Sequence, residues 1–164
     1  MKTILRRAAI ALIGLLVVSP ASAVESCVRF ASGVQPSPQL PDYCKDGSFL
    51  ALDVHHLLRR TGSGGQGRIL EDIVLRKRLD ASSPGLWSLL DNQSSQEVTI
   101  SFYQTNGAAT EFRARLILSG ARVVAIEPAT PRESEFIKDL ERIRLQYDVV
   151  TLEYKDGSSS AISR

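Results

Sequence analysis

Glu97-Val98-Thr99-Ile100-Ser101-Phe102-Tyr103, then the turn pair Asn106-Gly107, then Phe112-Arg113-Ala114-Arg115-Leu116-Ile117-Leu118: this stretch decides the fold. Val98, Ile100 and Phe102 fall on one face and Thr99, Ser101 and Tyr103 on the other, the alternation of a strand with one side on a core. Asn106-Gly107 suits positive φ, and Phe112, Ala114, Leu116 and Leu118 resume the alternation after it. The two runs read as an antiparallel hairpin.

Strand-like runs extend outward on both sides. Phe49, Ala51 and the alternation to Leu57 predict a strand ending before the glycine-rich turn Gly62-Ser63-Gly64-Gly65-Gln66-Gly67. Arg68 to Leu79, with Ile69, Ile73, Val74 and Leu75, predicts a second. Between these and the hairpin, Ser82 or Ser83 can accept bonds from free amides, Pro84 suits a first helical turn, and Leu86, Leu89 and Leu90 share a face. One short helix ending near Asn92 is expected. Later, Val123 to Ile126 reads as a strand, and Pro128 and Pro131 as a break. Phe136, Leu140, Ile143 and Tyr147 also fit a helical stripe, but a strand from about Leu140 to Tyr147 is the preferred reading. Val150, Leu152 and Tyr154 form a closing strand, and Asp156-Gly157-Ser158-Ser159-Ser160 reads as a frayed tail. The fold class is therefore mainly β with one short α-helix.

The first 23 residues read as an address. Lys2, Arg6 and Arg7 precede the apolar run Ala8 to Val18, and Ala21-Ser22-Ala23 offers the small residues a signal peptidase accepts. The run is shorter than the ~20 residues a spanning helix needs, which favours export over an uncleaved anchor. Removing residues 1–23 from 164 leaves 141, enough for a single core, and losing three cations takes the formal charge from +2 to −1. That balance gives no case for nucleic-acid binding. Cys27 and Cys44 are the only cysteines, and in an oxidising compartment they imply one disulfide. The segment it closes has 18 residues, for which the chain-entropy estimate is roughly 3 kcal/mol. Pro36, Pro38 and Pro41 between them argue for a stapled surface arm. The expected organisation is a signal peptide at 1–23, the arm at 24–48, a β domain at 49–155 and a flexible tail at 156–164.

Catalytic patterns are weak. Gly62 to Gly67 spells G-x-G-x-x-G, but strand-like Ile73-Val74-Leu75 follows where a dinucleotide loop needs a helix, so no cofactor is expected. His55 and His56, the only histidines, project to opposite faces of a strand and chelate a metal poorly. No G-x-S-x-G elbow occurs, so an exported hydrolase would need turnover lost with His55 or His56 and a nearby serine. Glu71 and Asp72 likewise face opposite ways. Arg113, Arg115, Arg122, Arg142 and Arg144 alternate with apolar residues and form either a basic stripe or a solvated face. Trp87, the sole tryptophan, is expected in helix packing.

The run from Asp72 through Asp80-Ala81-Ser82-Ser83-Pro84-Gly85-Leu86 resembles a hallmark of the haemolysin-coregulated protein (Hcp) family, the tube proteins of type VI secretion. Members show a strand with a basic residue, then Asp-x-Ser-Ser/Thr-Pro-x-Leu opening a short helix, and the following elements match in order over roughly Phe49 to Tyr154. The resemblance implies a β-barrel of two packed sheets with one flanking helix, hexameric rings, tube-like stacking around a lumen for effectors, no catalysis and no cofactor. Asp80, Ser82, Ser83, Pro84 and Leu86 would be structural, turning the chain and capping the helix. Two departures stand out: the leader, and the Cys27–Cys44 arm in place of the family's opening strand, with Val28-Arg29-Phe30 as its remnant. The expectation is an exported, non-catalytic Hcp-like protein, periplasmic or secreted, that self-associates and takes protein partners. A monomeric binding module on the same barrel is the alternative.

Overall fold

The computed structural model describes residues 23–56, 58–61, 67–107, 109–129 and 139–163. Residues 1–22 of the leader, Leu57, most of the Gly62–Gly67 turn, Pro131 and Phe136 lie outside the described residues. Among the described residues eleven strands and one α-helix follow in chain order, with one short 3-10 turn at Asp42–Cys44: β1 (Ala23–Phe30), β2 (Phe49–Ala51), β3 (Asp53–His55), β4 (Leu58–Thr61), β5 (Gly67–Leu70), β6 (Ile73–Arg78), α1 (Ser83–Asn92), β7 (Gln96–Asn106), β8 (Ala109–Ala129), β9 (Leu140–Gln146), β10 (Val149–Tyr154) and β11 (Ser159–Ser163).

The β7–β8 hairpin forms as the sequence predicts, with Gly107 at φ +64° in its turn. Its partner strand holds the chief surprise. β8 does not stop at Ser119-Gly120 and restart at Val123 but runs 21 residues without interruption. Its first part pairs with β7 and β10, and from Arg122 to Ala129 it pairs with β9. One strand thereby belongs to two sheets, β2-β1-β7-β8-β10-β11 and β8-β9-β6-β3, all pairs antiparallel. Gly120, at φ +68°, sits at the pivot, where a Cβ would meet Asp148 Oδ2 at 2.1 Å. The left-handed backbone favours glycine there, and the exposed Asp148 carboxylate would have to swing aside for any larger residue.

The expected strand from Phe49 to Leu57 is two short ones. β2 pairs with β1 in the first sheet and β3 with β6 in the second, with the chain turning at Leu52, whose N–H donates to Arg76 O at 2.7 Å. The two ends of the sheet are thus consecutive pieces of chain, though no continuous ladder closes the barrel. Arg68 to Leu79 is likewise broken: β5 pairs with β4 as a separate ribbon, and Glu71 and Asp72 occupy the gap before β6 rather than opposite faces of a strand.

Between the layers, Val28, Phe49, Ile73, Leu75, Val98, Ile100, Leu118, Ile143, Leu145 and Tyr147 are fully buried. Each such aliphatic contributes about 1.5–3 kcal/mol relative to exposure. Leu86 and Leu89 bring α1 onto this core, whereas Trp87, expected in the packing, is 50% exposed on the opposite helix face.

Both chain ends correct the sequence reading. Ala23–Phe30 is no surface arm but a strand between β2 and β7, so an opening strand is present. The prolines act only beyond Phe30. At the other end, Asp156 Oδ1 accepts bonds from Ser158 N at 2.8 Å and Ser158 Oγ at 2.6 Å, building a turn that returns the chain as β11 along β10. Residues 159–163 are a strand, not a tail.

Candidate functional site

Ile73, Leu75 and Lys77 occupy alternate positions of β6, so Lys77 points where a core residue would. Its ammonium is fully buried and shares its three N–H donors among four oxygens, Glu141 Oε1 at 2.9 Å, Asp80 Oδ1 at 2.9 Å, Ser83 Oγ at 3.1 Å and Arg78 O at 2.6 Å, with the Phe49 ring 5.1 Å away. Glu141 is its direct cross-strand partner on β9. The resemblance motif converges on this charge. Asp80 Oδ1 also accepts from Ser82 N at 2.9 Å and Ser82 Oγ at 2.5 Å, while Ser83 Oγ donates to Glu141 Oε1 at 2.7 Å.

Burial opposes ionisation of Asp80, but the bonds from Ser82 and Lys77 together outweigh it and hold the carboxyl below its ordinary value. The expected helix cap is corrected. Ser82 is the N-cap residue, but neither serine hydroxyl accepts a bond from a helical amide. They tie the helix entry to the ion pair instead. Pro84 takes the first turn, Leu86 is buried, and Gly85 packs against Gly33 and Val34, where a Cβ would lie 2.4 Å from Gly33 O. The arrangement locks α1, β6 and β9 together.

A second feature lies on the solvent face of the first sheet. The Cys27–Cys44 disulfide, Cα–Cα 5.7 Å, fastens the turn at Asp42–Cys44 over β1 and β7. Beneath it is a concavity of about 370 Å³ lined by Arg29, Tyr43, Asp46, Glu97, Ser101 and Tyr103, among others. Tyr43 donates to Glu25 and packs its ring 5.0 Å from that of Tyr103. Burial, followed by the Glu25 carboxylate, pushes the Tyr43 hydroxyl far above its ordinary value.

The other candidates disperse. His55 is exposed, whereas His56 Nε2 lies 2.6 Å from the hydroxyl of buried Tyr147. Among the described residues no group of three His, Cys, Asp or Glu could hold a metal ion. The arginines make no basic stripe. Arg115 pairs with Glu153 at 2.6 Å, Arg122 with Asp148 at 3.6 Å, Arg113 with Glu111 at 3.9 Å, and Arg142 and Arg144 both reach Glu127 at 4.0 Å. Sequence reasoning missed Lys77 and Glu141, although a lysine in step with Ile73 and Leu75 was the available signal.

Two antiparallel sheets sharing one long strand, flanked by a helix whose entry is fixed by an Asp-x-Ser-Ser-Pro turn, define an Hcp-type barrel. The family described as type VI secretion system effector, Hcp, matches residues 51–154, and the chain belongs to it. Among solved structures, Hcp1 from E. coli EAEC 042 is 19% identical with a TM-score of 0.69, covering 86% of this chain and 98% of that one. Secreted protein Hcp3 from Pseudomonas aeruginosa is 19% identical at TM-score 0.68, with the same coverage. Hcp1 from Salmonella typhimurium is 13% identical at 0.66, covering 85% and 92%. At these identities the likeness speaks for the fold alone. No curated protein sequence matches the chain. Among the described residues no helix is long and apolar enough to cross a membrane.

Proposed function

We propose that the mature chain is an exported, non-catalytic scaffold protein that closes with copies of itself into a hexameric ring of the type VI tube kind, with effector or other protein partners. The carrying observation is the family match over residues 51–154. Edge chemistry supports it. β11, Ser-Ser-Ala-Ile-Ser, lies at the free edge of its sheet without Lys, Arg or Pro, the devices that normally blunt an edge. An open edge on each of six protomers fits head-to-tail contacts that close.

Export rests on the leader and the disulfide. A cut after Ala23 would remove one residue of β1 and leave its pairing from Val24 to Phe30 intact. The bond between Cys27 and Cys44 suits an oxidising compartment. Negative-stain images of the oxidised mature protein, with amino-terminal sequencing of the cell-exported form, test both parts. Six-fold rings and a first residue at Val24 are expected; single particles of protomer size and a retained leader would reject them. The concavity over Cys27 favours a second reading, a monomeric periplasmic or secreted binding module on the same barrel.

A further inference from the structure

The concavity on the solvent face of β1 and β7 has features that barrel stability does not require. Arg29 stands opposite Thr99 in the β1–β7 register, and Glu97 is one pleat along on the same face. Asp46 enters from the turn that the disulfide holds down. Among the described residues none of these three side chains makes an ion pair, although Arg115, on the same floor, is paired with Glu153. One guanidinium and two carboxylates, uncommitted, therefore share a single recess with Thr99, Ser101 and Tyr103 as its floor.

We propose that this recess binds a small zwitterion, a dipeptide with both termini free, and that the Cys27–Cys44 disulfide assembles it. Arg29 receives the carboxylate through paired N–H donors. Asp46 and Glu97 receive the ammonium. Diagonal neighbours on adjacent strands are about 7–8 Å apart, and two extended residues span about 7 Å, so a dipeptide matches the separation of the Arg29 and Glu97 positions. The Thr99 and Ser101 hydroxyls meet the intervening amide, and the Tyr43 and Tyr103 rings, held together by the turn, form an apolar wall. Both Tyr43 and Asp46 come from the turn. With the bond open, the turn keeps only its chain connections to β1 and β2, its backbone hydrogen bonds and the Tyr43–Glu25 bond to hold that wall over the sheet.

The site is independent of ring formation, and its test is separate. Amide shifts of the oxidised mature protein are followed by NMR during titration with alanyl-alanine, with its N-acetylated form and with its C-amidated form. Expected are saturable shifts at Arg29, Ser101 and Tyr103 with the free dipeptide, and affinity lowered about tenfold or more by either cap, a factor worth about 1.4 kcal/mol. Arg29→Gln should abolish the preference for a free carboxylate, and Glu97→Gln should weaken that for a free ammonium. Reduction of the disulfide should remove binding. Equal affinity for capped and free dipeptides, no saturable shifts, or binding unchanged by reduction would overturn the proposal, and because both point variants lie on an exposed face, their fold is checked by the rest of the same spectra.

Discussion

Lys77 and Glu141 stand directly opposite one another on β6 and β9, with Nζ 2.9 Å from Oε1 and both side chains withdrawn from solvent. Ion pairs so deeply placed repay their desolvation only when their remaining bonds are made. Here Asp80, Ser83 and the Arg78 carbonyl surround the ammonium, whereas Glu141 Oε2 has no hydrogen-bond partner among the described residues. The pair specifies which strands meet and where the helix begins.

Lys77→Ala would leave Glu141 buried without its cation, at a cost of about 3–5 kcal/mol. Replacing both, Lys77→Met with Glu141→Leu, should recover part of that stability, because Glu141 is no longer stranded although Asp80 still loses its cation. Urea unfolding of Lys77→Ala, of Glu141→Leu alone and of the double variant checks this. A double variant as unstable as the worse single one would show that the pair is not the source of the loss.

Gly85 touches backbone, not a flexible side chain. The Cβ of Gly85→Ala would lie 2.4 Å from Gly33 O and 2.9 Å from Val34 Cα, so the helix or the segment at Gly33-Val34 must shift. Overpacking of this kind costs about 1–3 kcal/mol, even though alanine is the better helix former. A lowered thermal midpoint is expected; an unchanged or raised one would mean that the contact gives way freely.

His56 makes stability depend on pH. Burial, joined by neighbouring His55, pushes its imidazole below the ordinary value, so the fold prefers the neutral ring beside Tyr147. That contribution is complete above the unfolded value of about 6.5 and is lost as pH falls through it towards the lower folded value. The urea midpoint should therefore drop between about pH 7.5 and pH 5.5, and His56→Gln should flatten the drop. An equal slope in the variant would assign the effect elsewhere.

Opening the disulfide should cost roughly 3 kcal/mol through the freed chain, while β1 keeps its ladder with β7. Reduced protein is expected to retain its far-ultraviolet circular dichroism and to unfold at lower urea. Loss of the spectrum on reduction alone would make the bond a requirement for the sheet itself.

The hairpin and the helix were legible in the sequence because each carries a clear period and a turn or proline at its margin, whereas β9 was the preferred of two readings, its residues fitting a helical stripe as well. The full length of β8 was not legible. Ser119-Gly120 looks like a stop, and only the second sheet reveals it as a pivot. The split at Leu52 is equally silent, since alternation from Phe49 continues through residues that change partners. β11 hid behind small polar composition: with only Ile162 half-buried, its order comes from the Asp156 turn and the ladder with β10. At the motif, Asp80, Ser82 and Ser83 were visible as a helix-entry signal, but their common target was not. Lys77 and Glu141 are 64 positions apart, and nothing local marks two opposite charges as each other's partner across a sheet.

The central claim, that this barrel is a ring-building scaffold, is tested most directly by the light-scattering mass of the oxidised mature protein across a wide concentration range. A mass about six times that of the protomer is predicted for closed cyclic contacts. A constant protomer mass at the highest concentration would contradict it.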